Sequence, residues 1–370
     1  MFLSSISLKK IRRHIDTNIE FVERLNYIVG GNGVGKTTII EAIYYLCTTK
    51  SCITSTDSEA VKLGEDGFSL QGNFKGLTKD KVQLNYSVVD NKKLFMIGNK
   101  QINKFADVIG KFPVVLLSPS DHSITQGYPA ERRKFVDSVI SQASRTYLNL
   151  ILEYNRILKQ RSYLLSRLRE SNKTEDQELN AWSEKLVSVG SEIIKHRITF
   201  VSEYAPYIIK SYKKILGDKE IPGITYLFLD GKKSENIEHE FVQMLLKRKE
   251  DELRRASNLV GPHKDDFNFD INGLNLRNYG SQGQHKTFQT ILRFAELFYL
   301  KDKIGKTPLF LLDDVFGELD SERAAAISNY LGSVGQAFIT LTDFGNFSFL
   351  RASNEDKVIK LVQESKIIYA

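Results

Sequence analysis

The residues best suited to chemistry in this sequence form a glycine-rich run near its start. Residues 30–37 read GGNGVGKT and fit the pattern G-x-x-x-x-G-K-[ST] in full. In this pattern backbone N–H groups surround phosphate oxygens, the lysine reaches the terminal phosphates and the hydroxyl binds Mg²⁺. The spacing excludes the dinucleotide fingerprint G-x-G-x-x-G. The predicted nucleotide-binding residues are Gly30, Gly31, Asn32, Gly33, Val34, Gly35, Lys36, Thr37 and Thr38.

A pair of carboxylates at the end of an apolar run supplies the second group of candidates. Residues 309–314 read LFLLDD. We predict that Asp313 holds Mg²⁺ through its water shell and that Asp314 acts as a general base on the attacking water. An apolar strand that ends in aspartate is common by itself, so this assignment depends on the glycine-rich run upstream. Together the two motifs, with Lys36 and Thr37, indicate a P-loop nucleotidase.

A short polar stretch further upstream of the aspartates provides the third group. Ser281, Gln282, Gly283 and Gln284 resemble the signature loop of ABC-type ATPases. In those proteins Ser and Gly at a helix N-terminus bind the γ-phosphate of a nucleotide held by the other subunit. Residues 317–320, GELD, follow the aspartates as the D-loop of that class would. Thr342 stands where the switch histidine usually sits, which predicts slower or differently gated hydrolysis.

Buried strands and a helix must position these groups. The helix is predicted from about Lys36, because Ile39, Ile40, Ile43 and Leu46 recur at helical spacing. The first 30 residues alternate apolar and polar positions, which predicts short strands, the last of them buried. Near-continuous apolar runs at residues 306–316 and 336–343 predict central parallel strands. The predicted strand regions are residues 25–29, 68–104, 112–118, 224–230, 266–273, 306–316 and 336–343.

The middle of the chain differs in composition: from about Arg132 to Leu216 it is rich in residues that favour helices. Heptad spacing there predicts a helical hairpin or bundle, with a turn at residues 170–176. The apolar positions that show it are Leu179, Trp182, Leu186, Val189 and Ile193. We therefore expect an α/β unit built from both ends of the chain, with a helical insertion. The predicted domains are residues 1–118, 119–222 and 223–370.

Composition restricts the class of protein further. The 370 residues are 41% apolar and 26% charged, as in folded soluble proteins. No apolar run is long enough to span a bilayer, and the first residues do not form an export signal. Cys47 and Cys52 alone cannot build a disulfide framework or a zinc site. We expect a cytoplasmic protein that does not contact the membrane.

The net charge of +7 is compatible with nucleic acid without being diagnostic. Basic residues concentrate in three clusters, each of which is also typical of a solvated helix face. If the chain binds DNA, the clusters around Arg12–Arg13 and Arg132–Arg133 are the best candidates. The clusters comprise Lys9, Lys10, Arg12 and Arg13; Arg132, Arg133 and Lys134; and Lys247, Arg248, Lys249, Arg254 and Arg255.

The whole chain resembles the RecF family, bacterial recombination-repair ATPases related to the heads of SMC proteins. The matching stretches run in the family's order and cover essentially all 370 residues. They are NGVGKTTIIEAIYYL at 32–46, LLSPSD at 116–121, ERRKFVD at 131–137, LKQRSYLL at 158–165, GPHKDDF at 261–267, SQGQHKT at 281–287 and LLDDVFGELD at 311–320. The resemblance implies the α/β fold of a P-loop ABC/SMC-like ATPase head with an inserted helical lobe.

What the resemblance implies for function is an ATP- and Mg²⁺-dependent homodimer that binds DNA in recombinational repair, replication restart and the SOS response. RecF-like proteins recognise gapped DNA or junctions of single- and double-stranded DNA together with RecR, and RecO and RecA act in the same pathway. They assist the loading of RecA where single-strand-binding protein covers the gap. Hydrolysis of ATP is expected to be weak, DNA-dependent and used as a switch.

Two other functions share these loops. A nucleotide-binding subunit of a membrane transporter has all three of them, but it lacks the long helical insertion and twin aspartates. Another SMC-like ATPase would need a nuclease domain or a long coiled coil.

Residues 261–266, GPHKDD, have no assigned chemistry: His263 could contact nucleotide or DNA, or belong to a structural turn. Gly280 replaces the usual Leu before the signature serine, and residues 52–54 replace an aromatic and an Arg.

Overall fold

The structure, a computed structural model, describes residues 1–76, 79–171, 176–231, 236–318, 321–343, 353–362 and 367–369. Contacts divide the chain into two compact units. The first comprises Met1–Asp121, Lys210–Asp218 and Lys286–Ala370. The second comprises His122–Ile209 and Lys219–His285.

Strands occur in both units, and most of them belong to the first. In chain order they are β1 (Phe2–Ile11), β2 (His14–Glu20), β3 (Leu25–Val29), β4 (Gly67–Lys75), β5 (Lys79–Ser87), β6 (Lys92–Ile97), β7 (Lys100–Gln101), β8 (Val114–Leu117), β9 (Pro222–Leu227), β10 (Asp266–Ile271), β11 (Leu274–Asn275), β12 (Leu309–Leu312), β13 (Ala337–Leu341), β14 (Lys357–Leu361) and β15 (Ile367–Tyr369).

The helices include the longest elements of the chain. They are α1 (Lys36–Thr48), α2 (His122–Gln126), α3 (Pro129–Ala143), α4 (Arg145–Glu170), α5 (Gln177–Leu216), α6 (Ile237–Arg255), α7 (Leu276–Tyr279), α8 (Gln282–Ile304) and α9 (Ser321–Leu331). Short 3₁₀ helices cover Asp57–Ala60, Phe105–Asp107, Pro119–Asp121, Leu229–Gly231 and Phe316–Glu318. Among the described residues, we find no helix with the length and apolar character that a membrane crossing requires.

The first unit contains two sheets that share one core. An antiparallel sheet has the strand order β2-β1-β4-β5-β6-β7, and its strands alternate buried and exposed positions as a half-buried sheet requires. The second sheet, β15-β14-β3-β13-β12-β8, is parallel from β14 to β8. Its strands β3, β12 and β13 are buried at every position, which confirms the predicted central parallel strands. Side chains of α1 complete the core between the sheets.

The second unit is built mainly of helices, with one small sheet in the order β11-β10-β9. The predicted heptad stripe on α5 is buried at Leu179, Leu186 and Ile193. Leu179 packs with Leu164, Leu165 and Leu168 of α4. The helical hairpin is therefore confirmed, with α4 ending at Glu170 and α5 beginning at Gln177.

The units do not follow the predicted domain limits throughout. The limit at residue 118 lies close to the division after Asp121. Residues 223–285, predicted to belong to the ATPase domain, instead lie in the second unit. The reason is that β10 packs on α3, and Arg132 of α3 forms a two-pronged ion pair with Asp266, at 2.7 and 2.9 Å.

The stretch GPHKDD is a structural turn inside this second unit. His263 Nδ1 lies 2.9 Å from the Tyr154 hydroxyl, and its Nε2 lies 3.2 Å from the Asn258 carbonyl. Burial lowers the pKa of His263 to about 4. Asp265 accepts hydrogen bonds from the Tyr226 hydroxyl and the Leu229 N–H, and burial raises its pKa to about 6. These residues join α4, β9 and β10, and their contacts support the structural interpretation of the motif.

Gly261 is the residue of this turn least tolerant of a side chain. Its φ is +127°, and a Cβ there would lie 2.8 Å from the Phe241 ring and closer still to the Tyr154 hydroxyl. We expect Gly261→Ala to lower the free energy of unfolding by about 3 kcal/mol, because overpacking adds to the backbone cost. Urea denaturation followed by circular dichroism measures the change.

Gly273→Ala is the matched control, because Gly273 has φ +76° and no atom within 4 Å of the added methyl group. That variant should lose about 1 kcal/mol, the backbone cost alone. Equal losses in the two variants would show that the packing around Gly261 does not restrict it.

Candidate functional site

The glycine-rich run forms the loop between β3 and α1, as the motif predicts. Gly33 and Gly35 have φ of +78° and +105°, values that side chains disfavour. Gly30 is fixed at the strand end, since its N–H donates to the Leu341 carbonyl at 3.1 Å. The loop leads directly into the N-terminus of α1, where unpaired N–H groups and the helix dipole favour an anion. This geometry suits a phosphate group.

Lys36 lies back along this loop. Its Nζ donates to the carbonyls of Gly30, at 2.7 Å, and Gly31, at 2.9 Å. Burial lowers the pKa of the ammonium group, while the charges of Asp314 and Asp313 act in the opposite direction. The lysine therefore lies beside the loop with its charge directed at the site, and its present partners are neutral carbonyls that a phosphate could replace.

The twin aspartates directly follow β12 in the chain. They lie beside the glycine-rich loop. Asp313 Oδ1 accepts a hydrogen bond from the Thr37 hydroxyl at 3.1 Å. It also accepts one from Thr340 of β13 at 2.8 Å, and the Thr340 oxygen in turn accepts from the Asp314 N–H at 2.8 Å. Burial raises the pKa of Asp313, and the two hydroxyl hydrogen bonds oppose this shift. Thr37, Asp313 and Asp314 are thus brought together.

Thr340 is a site residue that sequence reasoning missed. Only the strand order β3-β13-β12 places it between the glycine-rich loop and the aspartates. Thr342, two residues further, is half-buried and lies just past the end of β13. The sequence shows this threonine near the end of an apolar run, but that composition is equally typical of an ordinary β-strand.

The oxygen groups around Asp313 fit a magnesium ion. Mg²⁺ prefers oxygen ligands and commonly takes one or two protein groups besides phosphates and water. The Thr37 hydroxyl and the Asp313 carboxylate provide two such groups 3.1 Å apart. No cluster of three or more His, Cys, Asp or Glu side chains suited to a metal occurs in the described ranges. A site shared between protein and nucleotide phosphate is therefore the form that these residues support.

Asp314 differs from its neighbour in exposure and backbone. Its side chain is exposed and its φ is +51°, so the chain turns sharply after the strand. The carboxylate lies 3.7 Å from the position of a Cβ at Gly317. Of the predicted D-loop, Leu319 and Asp320 lie outside the described residues.

The signature-like residues belong to the second unit, whereas the glycine-rich loop and the aspartates belong to the first. Ser281 precedes α8 and forms a reciprocal cap with Gln284. The Gln284 N–H donates to Ser281 Oγ at 3.2 Å, and the Ser281 N–H donates to the Gln284 side chain at 2.9 Å. Gln282 accepts a hydrogen bond from Gln126, and Gln284 donates one to Glu220. Gly283 follows in the first turn of α8.

Gly280, the predicted departure before the signature serine, lies in a tight space. A Cβ there would lie 2.5 Å from the Leu276 carbonyl oxygen and 3.1 Å from His285 Nε2. The His285 ring is buried within the described part of the chain and its Nδ1 has no hydrogen-bond partner there. Leu276 and His285 thus occupy the space that a side chain at position 280 would need.

Three of the four arginines predicted as the best DNA contacts, Arg12, Arg132 and Arg133, bind other groups within the protein, which weighs against those three as DNA contacts. Arg12 forms a two-pronged ion pair with Glu41 of α1, at 2.6 and 3.0 Å. Arg132 is only 3% exposed and pairs with Asp266, and Arg133 donates to the Asp265 carbonyl at 2.6 Å. Each of these guanidinium groups has a buried or half-buried acceptor, which a count of charges in the sequence cannot show.

Arg13 and His14 are further residues near the loop that sequence reasoning did not assign to the nucleotide. The Arg13 guanidinium lies 3.8 Å from the position of a Cβ at Gly33. His14 Nε2 lies 3.0 Å from the Gly35 carbonyl. The turn between β1 and β2 therefore contacts the glycine-rich loop.

Comparison with known proteins agrees with this geometry. The profile of the RecF/RecN/SMC N terminal domain family matches residues 2–367. The DNA replication and repair protein RecF of Chloroherpeton thalassium is 39% identical over 361 residues, which are 94% of this chain and 96% of that protein.

Solved structures give the same result. A structure described as the recombination mediator protein RecF-ATPrS in the RecFOR pathway superposes with a TM-score of 0.90 at 31% identity, over 100% of this chain and 98% of that one. The corresponding RecF-ATP structure has a TM-score of 0.90 at 30% identity, over 100% and 97%. The chain belongs to the RecF family of DNA replication and repair proteins.

Proposed function

We propose that this protein is an ATP-dependent DNA-binding protein of recombinational repair and replication restart. In this proposal ATP drives its dimerisation on gapped or junction DNA, hydrolysis is slow, and the complex assists the loading of RecA. The observation that supports it best is the hydrogen-bonded group of Thr37, Asp313 and Thr340 beside the glycine-rich loop. Membership of the RecF family, together with relatives named for replication and repair, supplies the biological setting.

The first step is the exchange of partners at Lys36. The ammonium would leave the carbonyls of Gly30 and Gly31 for the β- and γ-phosphates, where a charged acceptor gives a stronger bond. Backbone N–H groups of residues 31–38 would bind the remaining phosphate oxygens at the N-terminus of α1. The positive φ values at Gly33 and Gly35 let the backbone follow the phosphates.

Thr37 and Asp313 would hold the magnesium ion. When bound, Mg²⁺ neutralises charge that develops on the β- and γ-phosphates. Thr340 orients Asp313 through a hydroxyl hydrogen bond and, by accepting from the Asp314 N–H, fixes the position of the second carboxylate. Asp314, which is exposed, would accept the proton of the attacking water.

The signature-like loop supports a two-chain site. Ser281 caps α8, a 23-residue helix, and the loop therefore presents N–H groups and a hydroxyl to an anion. It belongs to a different unit from the glycine-rich loop. We infer that a second copy of the chain contributes Ser281–Gly283 to each nucleotide, giving a twofold dimer with two composite sites.

The proposed role implies macromolecular partners beyond the dimer. These are double-stranded and gapped DNA, with RecR as the direct protein partner and RecO and RecA in the same pathway. A protein that acts on chromosomal DNA in a bacterium would be located in the cytoplasm. The exposed cations Lys247 and Arg255 of α6 are candidates for phosphate contacts, whereas Arg248 and Arg254 of the same helix pair with Asp251.

The nucleotide assignments predict two distinct defects. Lys36→Ala should weaken ATP binding by more than about 100-fold, because the charged contact to the phosphates is lost. Asp314→Asn should bind ATP normally but hydrolyse it at least about 100-fold more slowly, because the general base is removed. Isothermal titration and a phosphate-release assay measure the two effects.

Lys92→Ala, which alters an exposed lysine of β6, is the control. Hydrolysis at the wild-type rate in Asp314→Asn would disprove the role of that carboxylate.

The composite site predicts an assembly defect in Ser281→Arg. The bulky cation should leave ATP binding by the monomer intact while preventing the ATP-driven dimer, as light scattering can show. Ser281→Ala controls for loss of the helix cap, and should still dimerise. Mixing Ser281→Arg with Lys36→Ala should restore hydrolysis, because one composite site of the heterodimer is then intact. A dimer that persists in Ser281→Arg would exclude a contribution from the partner's signature loop.

The DNA assignment predicts strong dependence on salt. Binding of gapped DNA with ATP should weaken steeply as salt rises, since each phosphate contact releases about 0.9 counterion. The double variant Lys247→Glu/Arg255→Glu should reduce the log–log slope by about two. Arg132→Ala, which breaks a buried ion pair, should lower stability and leave the slope unchanged. Fluorescence anisotropy provides the affinities. Absence of binding at low salt would contradict a role on DNA.

A further inference from the structure

His14 is a histidine with two defined hydrogen bonds at the base of the glycine-rich loop. It opens β2, directly after the turn that connects β1 to β2, and its side chain is fully buried. Nothing in the sequence motif of residues 30–37 includes it. Its ring nevertheless contacts that loop.

The two hydrogen bonds fix the protonation of the ring. Nε2 lies 3.0 Å from the Gly35 carbonyl, which can only accept, so Nε2 carries the hydrogen. Nδ1 lies 2.8 Å from the Thr17 hydroxyl, which is buried and donates to it. Burial also lowers the pKa of His14, so the neutral ring is favoured. One tautomer therefore satisfies both contacts.

The ring and the glycine also fit each other sterically. Gly35 has φ +105°, and a Cβ on it would lie 2.5 Å from His14 Nε2. The imidazole thus occupies the space that any other residue at position 35 would need. Both the donor and the packing act on the peptide that joins Gly35 to Lys36.

Fixing this peptide determines where the Lys36 N–H points. In a trans peptide the carbonyl and the following N–H point in opposite directions. The Gly35 carbonyl is held from one side by His14 and from the helix by the Thr38 N–H, at 3.2 Å. With the oxygen held by two donors, the Lys36 N–H is directed away from them, out of the N-terminus of α1. That N–H belongs to the group that would bind phosphate.

We propose that His14 is a positioning residue for the nucleotide, which acts by holding the Gly35–Lys36 peptide in the orientation that phosphate binding requires. The predicted change in ATP affinity rests on the proposed function, whereas the hydrogen-exchange test does not. The alternative is that His14 merely fills the core beneath the loop.

Two amide variants separate these roles. The Nε2 of Gln stands where the Nε2 of histidine stands, so His14→Gln keeps a donor for the Gly35 carbonyl. Asn is one carbon shorter and reaches only the position of Nδ1, beside Thr17. We expect His14→Asn to weaken ATP binding about tenfold and His14→Gln to remain within about threefold of wild type, as for loss of one hydrogen bond. Isothermal titration with ATP and Mg²⁺ measures the affinities, and thermal denaturation of each variant accompanies it.

Hydrogen exchange of the nucleotide-free chain supplies a readout that needs no ATP. In His14→Asn the amides of residues 30–38 should exchange faster than in wild type and in His14→Gln, with other segments unchanged. If wild type fails to bind ATP, the proposed function fails, and this measurement still tests the role of His14. If His14→Asn does not fold, Thr17→Val replaces it, since that variant frees the ring tautomer and should accelerate exchange in the same residues.

Three outcomes would overturn the inference. One is wild-type ATP affinity and wild-type exchange in His14→Asn. Another is equal loss of affinity in the Gln and Asn variants in proportion to their loss of thermal stability, which indicates core filling alone. The last is faster exchange spread over the whole first unit rather than confined to residues 30–38.

Discussion

The shared carboxylate oxygen of Asp313 is the contact on which the arrangement of the site depends. It accepts from Thr37 at the start of α1 and from Thr340 of β13, and so joins three chain segments that are distant in sequence. The contact exists because β13 lies between β3 and β12 in the parallel sheet. All three strands end at the same edge, where the carboxyl ends of parallel strands place loops together. The loop, the helix and the aspartates could not meet without that strand order.

The sequence predicts the parts of the site that lie within one segment. The loop at residues 30–38, the helix that follows it and the fully buried strands could all be read from local pattern, since spacing and apolar runs determine them. Thr340 and His14 could not, because their roles come from strand order and from a turn more than 15 residues away. The same limit explains the division at residue 285: β10 joins the helical unit through its packing on α3, a contact that no local pattern contains.

Charge clusters illustrate the limit most clearly. Arg12, Arg132 and Arg133 read as a basic surface in sequence, yet each has a partner with a buried or half-buried oxygen. A guanidinium carries five donors in a fixed plane, which suits it to a carboxylate or carbonyl between elements as well as to a phosphate. Net charge therefore sets the number of possible DNA contacts without indicating which residues make them. GPHKDD is the opposite case, a polar motif in which His263, Asp265 and Asp266 all bind groups within the protein.

The hydrogen bonds that Lys36 makes with the carbonyls of Gly30 and Gly31 have a consequence for recognition. Because the ammonium already holds both ends of the loop, the loop keeps its shape before any ligand arrives, and little conformational entropy remains to be lost on binding. A nucleotide bound as proposed would replace two neutral acceptors by charged ones, so the number of hydrogen bonds made by the lysine would change little. In the proposed role, its contribution to affinity would follow the negative charge of the ligand, and nucleotides that differ by one phosphate would be distinguished by electrostatics rather than by a rearrangement of the backbone.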